Sequence, residues 1–180
     1  LPSLSALEKP NMLTPMNQSS PLLAVNGLRI DFDLGGGRII RAVDGVDLCV
    51  RNREIVGLVG ESGSGKTITA ISLLRLVPPP GRVVAGEILW KGEDIMLLPE
   101  SKMRGIRGAE IAMIFQNPQL AMNPIYSVGR QLVAVLRLHR GMNRSEAKDE
   151  AIRLLERVRI SDAHKRFNDY PHQLSGGMCQ

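Results

Sequence analysis

Apolar residues are sparse and aperiodic over LPSLSALEKPNMLTPMNQSS, residues 1–20, where Pro, Ser and Asn intervene. A stretch with no face to bury reads as a flexible leader outside the fold. From Leu22 to Phe32 and from Ile39 to Val50 the chain is β-like, the second run alternating at Val46, Leu48 and Val50. Gly35-Gly36-Gly37 supplies the turn between them, which predicts an antiparallel hairpin. Glu54 to Val59 predicts a short, mostly apolar strand. A glycine-rich stretch follows, and then Ile68 to Val77 carries helical periodicity and stops at Pro78-Pro79-Pro80. GRVVAGEILWK at 81–91 predicts a strand bent at Gly86, and Ile111 to Phe115 a short buried strand running into the polar loop QNPQLAMNP. Ser127 is a good N-cap for a helix through His139, with Val128, Leu132, Val135, Leu136 and Leu138 on its apolar face. A second helix is predicted with Ser145 as cap, Glu146 near the positive end of its dipole, and Ala151, Ile152, Leu154, Leu155 and Val158 as the buried stripe. Tyr170 to Gln180 is polar and contains glycine, and no internal repeat is visible.

Composition narrows the classes. With 43% hydrophobic residues in 180, one core of useful size is available, and one domain is the default. No run of 18 apolar residues occurs and no secretory signal is visible, so any membrane contact is expected to be indirect. Cys49 and Cys179 are far apart and in no metal-ligand spacing, which argues against a disulfide framework or a zinc site and for a reducing, cytoplasmic setting. The net charge of +5 admits an anionic partner, but the basic residues are scattered and read chiefly as solvated faces and loops. Aromatics make up only 3%, too few for a platform that stacks single-stranded bases, and no nucleic-acid partner is expected.

The chemistry concentrates in Gly60-Glu61-Ser62-Gly63-Ser64-Gly65-Lys66-Thr67, which fits GxxxxGK[ST] between a predicted strand and a predicted helix. Glycines allow positive φ and bring successive N–H groups to phosphate oxygens, at the positive end of the following helix. Lys66 is placed to bridge the β- and γ-phosphates of ATP, the Thr67 hydroxyl to enter the octahedral shell of Mg²⁺, and Ile68 to continue the cradle into the helix. A glycine-rich turn before an ordinary helix, with Lys66 merely solvated, is the bland alternative.

A phosphate loop alone does not separate kinases, GTPases and transport ATPases. Downstream, Leu174-Ser175-Gly176-Gly177-Met178 resembles the LSGGQ signature of ABC ATPases, and Gln116, at the end of the Ile111 to Phe115 run, stands where that family has its Q-loop. The finer resemblance is to ATP-binding subunits of oligopeptide and dipeptide (nickel) importers, through GESGSGKT at 60–67, IFQNPQLAMNP at 114–124 and YPHQLSGGM at 170–178. Cys179 stands where that family usually has Arg, and QLAMNP follows its Q-loop pattern only loosely.

The resemblance implies an α/β fold: a P-loop NTPase (RecA-like) core with an antiparallel β subdomain and a helical subdomain. Residues 21–180 would be the N-terminal part of an ABC ATP-binding domain, C-terminally incomplete and lacking the Walker B and H-loop region. It implies a dimer in which ATP lies between the phosphate loop of one subunit and Ser175, Gly176 and Gly177 of the other. Lys66 and Gln116 are the implied catalytic residues, Thr67 and Gln116 the Mg²⁺ contacts, and Phe32 the candidate for stacking adenine, beside an ordinary core role. His172 reads as a surface residue next to the signature. The implied partners are transmembrane permease subunits, a second ABC ATPase subunit and, indirectly, an external solute-binding protein, on the cytoplasmic face of the inner membrane. Without the acidic strand, the expectation is a fragment that contacts nucleotide but does not hydrolyse it efficiently. Two other readings stand beside this one: an ABC ATPase acting on ribosomes or nucleic acid, and a non-catalytic nucleotide-binding module.

Overall fold

The computed structural model of the chain describes residues 20–180, so the leader predicted over 1–20 lies, but for Ser20, outside the described residues. The chain divides into two compact units, Leu1–Met103 and Arg104–Gln180.

In the first unit, β1 (Leu23–Asp33) and β2 (Ile39–Val50) form the predicted antiparallel hairpin. Gly35, Gly36 and Gly37 all take positive φ in its turn, a conformation that costs a residue with a Cβ. β3 (Gly81–Trp90) pairs with the other edge of β1, and the two-residue β4 (Glu93–Asp94) closes an antiparallel sheet of order β2-β1-β3-β4. Gly86 is the predicted bend, at φ 91°, where a Cβ would meet the carbonyls of Asn26 and Gly27 across the ladder at 2.6 Å. Val25, Leu28, Ile30, Ile88, Ile95 and Met103 are fully buried, so the inward residues of β1 and β3 meet the segment after β4 in the core. Arg75, at φ 52°, ties the turn after the first helix to that segment through carbonyls of Ile95 (3.2 Å) and Leu98 (2.6 Å).

Three local predictions change here. α1 spans Lys66–Ser72, beginning inside the glycine motif and ending before the predicted Val77. Residues 54–59, predicted as a strand, join no ladder among the described residues, and Ile55 and Val59 are 98% and 94% exposed. The segment 111–115 likewise contributes only an isolated bridge from Ile111 to Arg107, with Ile114 78% exposed. A strand borrows its hydrogen-bond partners from another segment, and the described residues offer these two none. A further helix, α2 (Glu100–Ile106), was not predicted.

The second unit is helical: α3 (Pro118–Ala121), α4 (Val128–Arg140), α5 (Arg144–Arg157), α6 (Ala163–Arg166), a 3₁₀ turn at Pro171–Gln173 and α7 (Gly176–Cys179). Ser127 caps α4 as predicted, its hydroxyl accepting from the Arg130 N–H. For α5 the cap is Asn143 rather than Ser145. The Asn143 side chain accepts from the N–H groups of Ser145 and Glu146, and Glu146 returns a bond to the Asn143 N–H at 3.1 Å, a capping box that starts the helix at Arg144. Leu136, Ala147, Ala151, Ile152, Ala163 and Phe167 form this unit's core, with Leu132, Leu154 and Leu155 packed against it. Val135, Leu138 and Val158, placed on buried faces by periodicity, are exposed instead. The small Ala147 and Ala151 let α5 approach closely, which narrows the apolar stripe each helix needs.

Candidate functional site

The loop from Gly60 to Thr67 is shaped by its own backbone. Gly63 and Gly65 take φ of 82° and 88°, and the Ser64 N–H turns back to the Glu61 carbonyl at 3.2 Å. Gly65 sits against β2 so closely that a Cβ there would collide with the Ala42 carbonyl oxygen and lie 3.3 Å from Val43 Cγ2. Gly60 faces inward over the loop, where a Cβ would come within 2.6 Å of Ser64 Oγ. At Gly65 the glycine is a packing requirement against backbone, seating the helix start on the sheet, whereas at Gly60 the contact is with the end of a side chain.

Gly65 is the N-cap of α1, and its carbonyl accepts both the N–H of Thr69 (2.8 Å) and the Thr69 hydroxyl (3.0 Å). Lys66, Thr67 and Ile68 head the helix, where N–H groups have no carbonyl within the helix to bond and carry the positive end of its dipole. Lys66 folds over the loop and donates from Nζ to the carbonyls of Gly60 (2.7 Å) and Glu61 (2.6 Å) and to Ser64 Oγ (3.2 Å). An ammonium held there by three neutral oxygens stands beside the start of α1, a setting that suits an anion with several oxygens. Thr67 is exposed at the top of the helix, where its hydroxyl is open to a hard cation such as Mg²⁺. Glu61 and Ser62 are exposed on the outer rim.

Phe32 is half-buried near the end of β1, pairs with Ile40 and Gly81, and lays its ring over Gly81, where a Cβ would lie 2.6 Å from the ring and 2.8 Å from Val77. Sequence reasoning did not single out Ala42 and Val43. Nothing in the one-dimensional pattern marks a backbone carbonyl as the stop against which a loop glycine is pressed.

The other predicted site residues lie in the second unit. Gln116 is exposed in the bend that leads into α3, whose neighbour in this unit is α7. Ser175 caps α7, its hydroxyl accepting from the Met178 N–H at 3.3 Å, and Gly176 and Gly177 form the exposed first turn. Exposed amides at a helix start and a serine beside them can face an anion only from outside the unit. His172 stacks on Tyr170, ring centroids 5.8 Å apart, on the 3₁₀ turn before the signature. Among the described residues no group of three or more His, Cys, Asp or Glu is placed to hold a metal, and both cysteines are free thiols. No helix among the described residues is long and apolar enough to cross a membrane.

A glycine-rich loop capped by a lysine in the first unit, and a serine-capped glycine turn in the helical second unit, stand in the order of the motifs of the ABC class. The ABC transporter family model matches residues 43–180, and the chain belongs to that family. Among its relatives, it is 50% identical over 163 residues to "Putative peptide import ATP-binding protein BAB2_1052" of Brucella abortus (strain 2308), covering 91% of this chain and 49% of that protein. It is 44% identical over 168 residues to "Probable peptide ABC transporter ATP-binding protein y4tR" of Sinorhizobium fredii (strain NBRC 101917 / NGR234), covering 91% and 50%. The chain thus spans about half the length of the curated relatives it matches. In fold it resembles the bacterial ABC transporter cassette MJ0796, solved as a dimer, with a TM-score of 0.73 at 24% identity over 87% of this chain and 65% of that one. A post-hydrolysis dimer of the same cassette, bound to ADP and Pi, gives a TM-score of 0.71 at 22% identity over the same shares. The mixed α/β architecture, with its antiparallel sheet and helical part, is that of a RecA-like ABC cassette.

Proposed function

We propose that residues 21–180 are the N-terminal part of the ATP-binding domain of an ABC importer subunit that energises uptake of peptides or related solutes. The observation that carries this reading is the lysine-capped loop Gly60–Thr67 set on β2 by Gly65. Its amides and Lys66 bind and orient the triphosphate of ATP as substrate, and Ile68 extends the row of donors. The Thr67 hydroxyl and Gln116 would hold Mg²⁺, which would supply positive charge to the phosphate oxygens. Gln116 also orients the attacking water, and the loop that follows it couples closure of the subunits to the permease. Ser175 and the amides of Gly176 and Gly177 bind the nucleotide held by a second ABC ATPase subunit, so that ATP bridges the pair. Phe32 stacks on the adenine.

The partners in this reading are transmembrane permease subunits, a second ATPase subunit and, through the permease, an external solute-binding protein. The subunit works at the cytoplasmic face of the inner membrane as a peripheral component. The names of relatives such as those of Brucella abortus and Sinorhizobium fredii support peptides as the cargo class.

Titration of the chain with a fluorescent ATP analogue tests the binding step. Lys66→Ala removes one charge-assisted donor to phosphate, which contributes about 1.5–3 kcal/mol, and is expected to weaken affinity by about tenfold to over a hundredfold. Its melting temperature should not change, because the carbonyls it leaves are at the exposed loop and accept water. Unchanged affinity would sink the assignment. Loss of peptide uptake on deletion of the gene, restored by the parent sequence and not by Lys66→Ala, tests the transport step.

A further inference from the structure

A cleft of about 760 Å³ opens in the second unit between α4, α5 and the residues after α6, and none of the predicted site residues lines it. Arg130 and Arg137 of α4 and Arg144 and Lys148 of α5 line it, and among the described residues no carboxylate does. Among the described residues, Arg137, Arg144 and Lys148 have no ion-pair or hydrogen-bond partner for their side chains, while Arg130 stacks its guanidinium on Tyr126 at 4.0 Å. Their neighbours are paired: Arg140 and Arg153 share Glu150, at 3.3 and 3.5 Å, and Arg166 holds Asp169 at 2.8 Å. Residues 104–180 contain twelve Lys and Arg against seven Asp and Glu, an excess equal to the +5 of the whole chain.

Four cations around one cleft with no counter-charge repel one another, and an anion relieves that repulsion. Three of the four are arginines, whose planar fork matches the paired oxygens of a phosphate. Arg130 and Arg137 lie seven residues apart on one helix, about 10 Å along its axis, so the charge is spread wider than one phosphate requires. The wall includes Val133 and the ring of Phe167, which offers an apolar surface to the rest of a ligand. The volume lies within the range of small-molecule sites, about 300–1,000 Å³. The geometry points to a second anion site, distinct from the phosphate loop, that binds the phosphate groups of a phosphate ester carrying an apolar portion. The source of that chemistry is either a free phosphate compound or the headgroup of an anionic lipid.

The test uses the full chain carrying Lys66→Ala, so that the phosphate loop binds more weakly, and does not depend on the transport reading. Calorimetric titration with pyrophosphate reads the free-phosphate arm, and sedimentation with phosphatidylcholine vesicles, with and without phosphatidylglycerol, reads the lipid arm. Binding in either arm that falls at least about tenfold on adding Arg137→Ala with Arg144→Ala, with an unchanged melting temperature, supports the site, and the arm that binds names the source. Lys148→Glu serves as an independent variant should the pair fail to fold, and is expected to weaken the same binding. No binding in either arm, binding undiminished by these substitutions, or citrate binding as tightly as pyrophosphate overturns the proposal.

Discussion

Two glycines of one motif should respond differently to the same added methyl group. Gly65→Ala places a Cβ on a residue at φ 88° and drives it into the Ala42 carbonyl of β2, with Val43 Cγ2 3.3 Å from the same Cβ. The left-handed backbone costs an L-residue about 1–2 kcal/mol. Overpacking against backbone, which has no rotamer to change, adds about 1–3 kcal/mol. Alanine returns about 0.4–1 kcal/mol by restricting the unfolded chain, so the net loss is about 1–5 kcal/mol. At Gly60 φ is not positive, and the added methyl meets Ser64 Oγ at 2.6 Å, the end of a side chain that can rotate away at a cost of about 1 kcal/mol. Urea unfolding followed by circular dichroism measures both, and a fluorescent ATP titration asks whether α1 has been lifted off β2. Gly65→Ala should be less stable than Gly60→Ala by at least about 1 kcal/mol and should lose more nucleotide affinity. Equal stability of the two variants, or a Gly65→Ala protein indistinguishable from the parent, would refute the argument that β2 sets the start of the helix.

Asn143→Ala removes the acceptor of the α5 capping box and should cost about 1 kcal/mol in urea unfolding, whereas Ser145→Ala should cost much less. Phe167→Ala empties the centre of the helical unit and should cost about 3–5 kcal/mol, read as early loss of helical ellipticity. Gln116→Ala, on an exposed bend, should leave the melting temperature unchanged and, on the proposed function, lower ATP turnover more than nucleotide affinity.

Sequence alone fixed what is local. The hairpin, the bend at Gly86, the phosphate loop and the Ser127 cap each depend on residues within a few positions of one another, through glycine φ, a hydroxyl near an N–H, or a turn. Leu174 to Met178 was read by its resemblance to a family motif, and the structure adds that Ser175 caps its own short helix. The capping box of α5 was equally local but went unread, because Ser145 drew attention from the Asn143 and Glu146 pair.

Tertiary structure decided what depends on a partner. Apolar runs at 54–59 and 111–115 have the composition of strands, yet a strand's hydrogen bonds come from another segment, and among the described residues neither run joins a sheet. Helices carry their own hydrogen bonds, so α4 and α5 form where periodicity placed them. Which of their apolar residues face inward was settled by what packs against them: Leu136 is covered by the small face of α5, and Val135 and Leu138 are left outside. The stop that Ala42 provides for Gly65, and the gathering of Arg130, Arg137, Arg144 and Lys148 around one cleft, exist only once distant residues are brought within a few ångströms.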